Sequence, residues 1–481
     1  MCGRKKGASR QRSDARKVET TGSIFILEKN ILYVQYTNPA NYPPLEQSGL
    51  MLLNAGWDVR YFGVQSEGES SKLVFPEPLA GCQTLWQYKP PGISQKLHFG
   101  AFTFMALWRA LWQRPAWVYC SDLMSCPAAW LVGQFTKCKV LYHEHDSPEA
   151  GKTKAEMLKP EILKLDNKAE MSAFQNVSVS EFKAVSTFQL FLLWSRKRVG
   201  READLVVLPN QERLELFVQA TGRQKKSLCV YNCPRKEEVG GEAESREQRA
   251  EVRGQKTVAE TLKSEMLPGE VERQTLHGPG KSEIGNGEAG ELRLAFHGSI
   301  NRDRLPMAVL EAMSRFPGRV HLSVVGYETV GGKGYMTAFL QAAERLGLGK
   351  AVEFVGALPT RHDIFVRASL CDVGLAFMPL QGGDVNMANM TGASNKPFDY
   401  LACGLALLVS DLPDWKKKFV EPGYGLACNP DDANSIADQL RWFLEHPLKT
   451  QEMGERGRQR ILSEWNYDSQ FEPALKVIER W

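Results

Sequence analysis

The chain has 481 residues, a length that predicts about two to three domains with cores of ordinary size. Its 60 lysine and arginine residues stand against 56 aspartate and glutamate residues, which gives a formal net charge of +4. This near balance does not indicate nucleic-acid binding, and the apolar and charged fractions, 43% and 24%, are those of a soluble globular protein.

The placement of the cysteines and the lengths of the apolar runs indicate the cellular compartment in which the protein is expected. The ten cysteines are scattered, and none has His or Cys partners at the spacing of a zinc site. We therefore expect buried thiols in a reducing, cytoplasmic setting. No apolar run reaches the roughly 18–20 residues of a membrane span. Residues 1–22 are basic without an apolar core, which predicts a disordered tail and not a secretory signal.

The first half opens with a strand–loop–helix–strand pattern. Apolar runs predict strands at Ile31–Tyr36 and Trp57–Phe62, joined by a helix over Leu45–Ala55 that ends at Gly56. This alternation predicts a Rossmann-like parallel sheet, although the first loop lacks G-x-G-x-x-G and therefore the fingerprint of an NAD site. A helix, a strand, a helix and a strand are predicted next, at Phe102–Trp112, Trp117–Tyr119, Ala128–Phe135 and Lys139–Tyr142.

The strand predicted at Lys139–Tyr142 is followed by His143, Glu144 and His145. Open α/β sheets place their sites at the carboxyl ends of parallel strands, so His145 is a candidate general base or a group that positions a substrate hydroxyl. The alternative is a loop histidine with a structural role. A metal site built from all three residues is disfavoured, because neighbours on an extended chain point to opposite faces.

Two segments in the middle of the chain have a composition that differs from that of the rest of the sequence. Ala184–Val199 is apolar and aromatic and ends in basic residues, which fits either a membrane-surface helix or a core helix with a solvated basic end; we favour the core helix. Strands at Asp204–Asn210 and Ser227–Asn232 then complete a first domain over residues 23–234. Residues 235–290 lack Phe, Trp and Tyr and are rich in Glu, Lys, Arg and Gly, which predicts a disordered insertion between the domains.

The second domain, residues 291–481, begins with a strand and a turn. The strand is predicted at Leu292–Ile300, and Arg302 and Arg304 follow it directly before a helix over Leu305–Ser314. Backbone N–H groups at a helix start and two guanidinium groups form a combination that suits a diphosphate. Strands and helices then alternate at Val320–Gly326, Tyr335–Leu346, Val352–Gly356, Arg361–Ala368 and Cys371–Phe377.

The stretch from Asn395 to Gly404 predicts a short helix closed by Gly404, and Leu405–Ser410 then predicts a buried strand. The helix start can face an anion, while Asp399 lies about one turn inside, where its carboxylate can accept bonds from sugar hydroxyls. A core helix with Asp399 solvated at its edge is the alternative. Because an arginine-containing turn lies in the same domain, we interpret the stretch as a nucleotide site.

Two Rossmann-like halves with the ligand motifs in the second resemble a GT-B glycosyltransferase, and the motifs are most similar to the retaining family four, the "group one" transferases. The similarity is strongest from Leu292 to Trp465. Its motifs are, in order, His297-Gly298-Ser299, Val325-Gly326, Glu353-Phe354-Val355-Gly356, Asn395 to Gly404, and Ala433-Asn434-Ser435-Ile436-Ala437. The resemblance implies an α/β fold of two Rossmann-like domains facing a cleft, with the last helix able to return to the first domain.

The resemblance also implies roles for individual residues. The donor nucleotide would be bound by Gly298, Ser299, Arg302, Asn395 and Asp399, with Asp399 on the ribose. The catalytic set would be His145, Arg304 and Lys396. Arg304 and Lys396 would hold the diphosphate, and His145, with His143 as the fallback, would lie near the reacting centre. The first acidic residue of the family's pair falls at Thr391, so the donor sugar would be contacted instead by Asn389, Thr391 or Gly392.

The activity implied by the resemblance is transfer of a hexosyl group from a nucleotide-diphosphate donor to an acceptor hydroxyl, with retention and without a metal or other cofactor. The acceptor would be a glycan or glycolipid, and a peripheral membrane contact would fit such an acceptor. Thr391 and the long insertion keep two alternatives open: an inactive nucleotide-binding or scaffold protein on the same fold, and a UDP-sugar epimerase.

Overall fold

The computed structural model describes residues 29–148, 187–239, 290–328, 333–381 and 385–480. These residues form a seven-stranded and a six-stranded sheet, and every strand pair in both sheets is parallel. The predicted architecture of two Rossmann-like α/β domains is confirmed. The predicted N-terminal tail and most of the predicted insertion lie outside the described residues.

The first sheet forms the N-terminal domain. Its strands in chain order are β1 (Asn30–Val34), β2 (Asp58–Val64), β3 (Gln83–Trp86), β4 (Trp117–Ser121), β5 (Lys139–His143), β6 (Leu205–Leu208) and β7 (Ser227–Cys229). The spatial order is β3-β2-β1-β4-β5-β6-β7. The strand order reverses between β1 and β4, and at such a switch point open α/β sheets form a crevice outside their carboxyl ends.

Helices cover both faces of the first sheet. One face packs against α1 (Pro43–Asn54). The other face packs against α2 (Ile93–Gln113), α3 (Cys126–Phe135), α4 (Thr187–Glu202) and α5 (Gln211–Thr221). Among the described residues no helix is both long enough and apolar enough to cross a membrane.

The second sheet has the spatial order β10-β9-β8-β11-β12-β13, where the strands are β8 (Leu292–Ile300), β9 (Val320–Glu328), β10 (Val352–Gly356), β11 (Val373–Ala376), β12 (Ala406–Ser410) and β13 (Gly425–Cys428). Its helices are α6 (Ala308–Met313), α7 (Tyr335–Arg345), α8 (Arg361–Ala368), α9 (Val385–Ala388), α10 (Lys396–Ala402), α11 (Pro413–Trp415), α12 (Ala433–Glu445), α13 (Pro447–Ser463) and α14 (Tyr467–Glu479).

The last helix, α14, packs on the first domain. Its buried residues Tyr467, Phe471 and Ile478 belong to the core beneath the first sheet. The Trp117 indole N–H donates to the Ile478 carbonyl at 3.3 Å, and the Tyr467 hydroxyl donates to the Pro44 carbonyl at 3.2 Å. The end of the chain therefore ties the two domains together through an apolar face.

Most predicted elements are found within a few residues of their expected bounds, but α2 begins at Ile93, well before the predicted start at Phe102, and α5 was not predicted. The helix predicted at Leu305–Ser314 begins only at Ala308, because the Asn301 side chain accepts hydrogen bonds from the Asp303 and Arg304 N–H groups and holds a turn there. Arg304 therefore does not lie at a helix start. Strands β3 and β13 were not predicted; both are short edge strands in which most residues are only partly buried, so neither forms a long apolar run.

Candidate active site

A cavity of about 240 Å³ lies between the two domains. The first domain contributes the loop after β1 and the start of α1. The second domain contributes the carboxyl ends of β8 and β9 and the starts of α8 and α10. Five of the residues assigned from the sequence to the nucleotide or to catalysis line this cavity together: Gly298, Ser299, Asn395, Lys396 and Asp399.

Two glycines form part of the cavity wall. Gly298 and Gly326 are register partners at the ends of β8 and β9, with φ angles of 104° and 144°. A Cβ on Gly326 would lie 1.9 Å from the Gly298 carbonyl oxygen, and a Cβ on Gly298 would lie 3.1 Å from Nζ of Lys396. Both positions therefore require glycine, and the absence of side chains leaves strand backbone and a lysine facing the cavity.

Helix α10 presents its polar groups from within the protein core. All of its residues, Lys396–Ala402, are buried, and Gly404 ends the helix with a φ angle of 70°, as predicted. The Tyr400 hydroxyl accepts a hydrogen bond from the His297 N–H at 2.9 Å, which fixes the helix against β8. The positions of Lys396 and Asp399 are therefore set by core packing.

Lys396 is a buried cation beside the strand ends. Its side chain lies over the Phe296 ring, with Nζ 5.5 Å from the ring centroid. Burial first, and then the positive charge of Arg304, lower the pKa of Lys396 to about 7, while Asp399 opposes the shift. This amine therefore loses its proton near neutral pH, and a bound anion would favour its protonated form.

Asp399 is held by three neighbours. Its Oδ1 accepts from Arg361 Nη2 at 2.9 Å, and its Oδ2 accepts from Asn395 Nδ2 at 2.8 Å. Burial raises the pKa of Asp399 to about 6, and the charge of Arg361 limits the rise. His297 Nε2 lies 3.5 Å from Oδ2, but burial lowers the pKa of His297 well below its ordinary value, so this histidine is neutral. Asp399 is thus a carboxylate at neutral pH with acceptor capacity left for a ligand hydroxyl.

Arg361 links the two domains at the cavity. Its Nε lies 2.8 Å from Oε1 of Glu238, a residue of the segment after β7, and Oε2 of Glu238 accepts from Gln47 of α1 at 3.2 Å. Burial alone would lower the pKa of Arg361, but the charges of Asp399 and Glu238 outweigh it and the net shift is upward. This chain of contacts connects the orientation of Asp399 to the packing of the two domains.

Glu46 is a further carboxyl group on the first-domain side of the cavity. Burial raises the pKa of Glu46 to about 7; Arg361 opposes this shift, and the like charge of Glu238 adds to it. Glu46, Glu238 and Arg361 were not predicted as site residues. Their sequence signals are weak, because each lies in an ordinary helix or turn and they meet only in the folded chain.

His145 lies near the cavity but does not line it. Its ring stacks on Tyr42 with centroids 4.9 Å apart, and Tyr42 stands between two lining residues of the loop after β1. Burial lowers the pKa of His145 to about 4, and its Nε2 has no hydrogen-bond partner among the described residues. His143 is deeper: its Nδ1 shares a 2.6 Å hydrogen bond with the Tyr119 hydroxyl. Of the two histidines, His145 is the better placed to accept a bond from a ligand.

The two predicted arginines differ in position. Arg302 is exposed and does not line the cavity. The Arg304 guanidinium contacts the sulfur atoms of Met378 and Met387. Arg304 also lies close enough to Lys396 for its charge to lower the pKa of that lysine. Arg304 can therefore add positive potential to the cavity without lining it.

The predicted donor-sugar residues lie where the domains contact each other. The Thr391 carbonyl accepts from Asn210 Nδ2 at 2.6 Å, and the Gly392 carbonyl accepts from the Asn232 N–H at 2.8 Å. The Thr391 hydroxyl donates to the Asp414 carboxylate. Asn389 lies two residues earlier, in the turn that ends α9, where its N–H donates to the Asn386 carbonyl. The structure does not bring these residues to the cavity, so their assignment to the donor sugar stays a prediction.

Comparison with known proteins identifies the fold class. Residues 308–476 match the family model described as glycosyl transferase-like. The whole architecture resembles sucrose-phosphate synthase from Thermosynechococcus elongatus, with 15% identity, a TM-score of 0.60, and 94% of this chain and 99% of that chain covered. The chain has the GT-B glycosyltransferase fold. The predicted resemblance to this class is confirmed, and a comparison with curated protein sequences returns no significant match.

Two other GT-B structures are similar over the same share of the chain. Anabaena HepE, solved in complex with UDP and glucose, has 14% identity and a TM-score of 0.60, with 94% of this chain and 100% of that chain covered. The UDP-forming α,α-trehalose-phosphate synthase from Burkholderia vietnamiensis has 11% identity and a TM-score of 0.56, with the same coverage. At these identities the similarity concerns the fold.

Proposed function

We propose that the protein transfers a hexosyl group from a nucleoside-diphosphate donor to the hydroxyl of a glycan or glycolipid acceptor, with retention and without a metal ion. UDP is the first nucleotide to test, because HepE is solved with UDP and the trehalose-phosphate synthase is named as UDP-forming. Among the described residues no group of three or more His, Cys, Asp or Glu side chains is placed to hold a metal ion.

The observation that carries this proposal is the arrangement of Lys396 and Asp399 on one buried helix beside the bare backbone of Gly298 and Gly326. A nucleoside diphosphate has adjacent groups that match these two side chains. Its phosphates require cationic and N–H partners, and its ribose requires a hydroxyl acceptor. An ammonium and a carboxylate three residues apart on a helix lie on the same face, so both reach one ligand.

The residues divide the chemistry between them. The leaving diphosphate gains negative charge when the bond between the sugar C1 and the donor phosphate oxygen breaks. Lys396 stabilises this charge, and the positive charge of Arg304 nearby adds to the effect. The acceptor hydroxyl attacks C1 from the leaving-group side and gives up its proton to the departing phosphate. Asp399, oriented by Arg361, holds the ribose, and neutral His145 accepts a hydrogen bond from a sugar hydroxyl. Closure of the cavity excludes water and limits donor hydrolysis.

The pKa of Lys396 predicts how nucleotide binding depends on pH. A diphosphate favours the protonated amine, so affinity is greatest between about pH 6, where Asp399 becomes a carboxylate, and about pH 7, the pKa of Lys396, and it falls as pH rises further, by up to about tenfold per pH unit. Above about pH 7 the charge of UDP changes little, because phosphate groups of this type titrate near about pH 6. Titration calorimetry of UDP at increasing pH measures this slope. A slope of the same size in a Lys396→Met variant would contradict the assignment to Lys396.

Thr391 favours a second candidate, a protein that binds nucleotide sugar without transferring it. No acid stands at this position, and the Thr391 hydroxyl is engaged by Asp414 and its carbonyl by Asn210. Such a site would bind the nucleotide, but the donor sugar would lack the contact with an acidic side chain that the group-one transferases provide at this position.

A donor screen distinguishes the candidates. Thermal shift of the full chain with UDP, GDP and ADP should show stabilisation by at least one diphosphate, and no shift with any of them would contradict the proposal. The matching nucleotide sugars are then incubated with and without acceptor glycans and glycolipids, and the products are measured by mass spectrometry. Glycosylated acceptor supports transfer, binding without product supports the second candidate, and donor conversion without acceptor indicates an epimerase.

A further inference from the structure

Helices α2, α3 and α4 lie side by side on one face of the first sheet and form an apolar outer surface. Of the large apolar side chains that the described residues leave exposed, most belong to these helices. They include Leu97, Phe104, Trp108 and Trp112 of α2 and Phe191 and Trp194 of α4. An apolar surface of this extent on a folded domain indicates an interaction site.

The sequence of α2 is apolar on two sides. Phe99, Phe102 and Ala106 are buried against the sheet, while Phe104 and Trp108 point away from it at helical spacing. The indole of Trp112 is 77% exposed, although the ring stacks on Trp108 with centroids 6.3 Å apart. One face is enough to hold a surface helix on its domain, and the second apolar face of α2 is left exposed by the residues that the structure describes.

A groove runs between the three helices at their N-terminal ends. It is lined by Lys96, Phe104, Pro127, Leu131, Phe188 and Phe191. The Tyr36 hydroxyl, just past the carboxyl end of β1, donates to the Gln95 carbonyl at 3.3 Å, and its ring packs edge-on against Phe99 at 5.0 Å. The groove therefore opens near the sheet edge that faces the interdomain cavity.

The charged residues around this surface are mostly basic. Helices α2 and α3 contain no Asp or Glu, and α4 contains a single acid, Glu202. Lys197, Arg198 and Arg201 follow the exposed aromatic residues of α4. Two copies of this chain that met through the same face would bring like charges together, whereas a bilayer with anionic headgroups would complement both the aromatic and the basic residues.

We propose that the face formed by α2, α3 and α4 docks the protein on the surface of an anionic lipid bilayer. Aromatic side chains such as Trp108 and Trp112 enter the interface, and the basic end of α4 contacts the headgroups. The inference goes beyond the proposed function, because lipid binding does not depend on nucleotide binding or on sugar transfer.

Co-sedimentation of the full chain with vesicles tests the docking. We expect binding to phosphatidylcholine vesicles that contain phosphatidylglycerol, and much weaker binding to phosphatidylcholine alone or at high salt. Trp108→Ser with Trp112→Ser should weaken binding at least about tenfold, because each large apolar side chain contributes about that factor when it leaves water. Charge reversal by K197E, R198E and R201E should weaken it by about fivefold or more per residue.

The matched control is Leu448→Ser, which removes an equally exposed apolar side chain, 74% exposed, from α13 of the second domain. It should bind vesicles as the unmodified chain does, and circular dichroism melts should show that all variants remain folded. Absence of binding to anionic vesicles would overturn the proposal. So would a dimer in sedimentation velocity that Trp112→Ser converts to monomer without any change in vesicle binding, since a second copy would then cover the face.

Discussion

Replacing Lys396 with methionine is expected to weaken the binding of a nucleoside diphosphate by about 10- to 150-fold, or about 1.5–3 kcal/mol. The transfer rate should fall further, by about 100- to 1000-fold, because negative charge on the diphosphate increases in the transition state and only a fixed cation stabilises the increase. Calorimetry and initial rates measure the two losses. The stability of the empty protein should not fall, since methionine fills the same volume and removes a buried amine with a lowered pKa.

Lys418→Met is the matched control for this experiment. Lys418 is a half-buried lysine of the second domain whose pKa is also lowered by burial, but its amine contacts Tyr231 and Trp465 and does not line the cavity. This variant should bind nucleotide normally. Equal affinity losses in the two variants would show that the effect of Lys396→Met reflects general damage to the domain and would remove the phosphate assignment.

Replacing Arg196 with methionine is expected to lower the free energy of unfolding of the first domain by about 3–5 kcal/mol. Arg196 of α4 makes a two-bond ion pair with Glu144 at the end of β5, with distances of 2.6 Å and 2.7 Å, and both side chains are buried. Removing the cation leaves the Glu144 carboxylate without its charged partner in the core. Urea unfolding followed by tryptophan fluorescence measures the change.

Two further variants separate the ion pair from the loss of side-chain volume. Arg196→Met combined with Glu144→Gln should recover much of the lost stability, because no uncompensated charge remains. Arg198→Met, two residues further along α4, removes an arginine whose ion pair with Glu202 is exposed, and it should change stability by no more than about 0.5 kcal/mol. A loss from Arg198→Met as large as that from Arg196→Met would contradict the assignment of the cost to the buried pair.

The Arg196–Glu144 pair also bears on the site. Glu144 immediately precedes His145, and its carboxylate accepts a further hydrogen bond from Tyr142 at 2.9 Å. Both partners of Glu144 belong to the same core on one face of the first sheet, and they hold the backbone at the end of β5 next to the His145 ring, which stacks on Tyr42. A core ion pair thus determines where the candidate histidine lies.

The interdomain contacts suggest how donor binding and closure would be linked. Asp399 pairs with Arg361, Arg361 with Glu238, and Glu238 with Gln47 of α1. In the proposed function, the donor ribose would bind to Asp399, whose carboxylate is already oriented by these interdomain contacts. Preorganisation of this kind increases affinity because less freedom is lost when the ligand binds.

The amino-acid sequence by itself determined the alternating strands and helices and the position of α10. These depend on local features: apolar runs of strand length, and a glycine at position 404 that can adopt the left-handed conformation closing the helix. Parallel strands with helical connections also imply which strand ends share an edge, and this is why Gly298, Lys396 and Asp399 could be placed in one site.

Only the tertiary structure decided which side chains complete that site. Arg361, Glu238 and Glu46 come from distant segments, and their pairing depends on how the two domains pack, which no local pattern contains. The same packing places Thr391 at the domain contact and leaves Arg304 behind the cavity wall. Local sequence determines backbone conformation through steric and hydrogen-bonding limits, whereas long-range contacts depend on the burial of surfaces that meet only after folding.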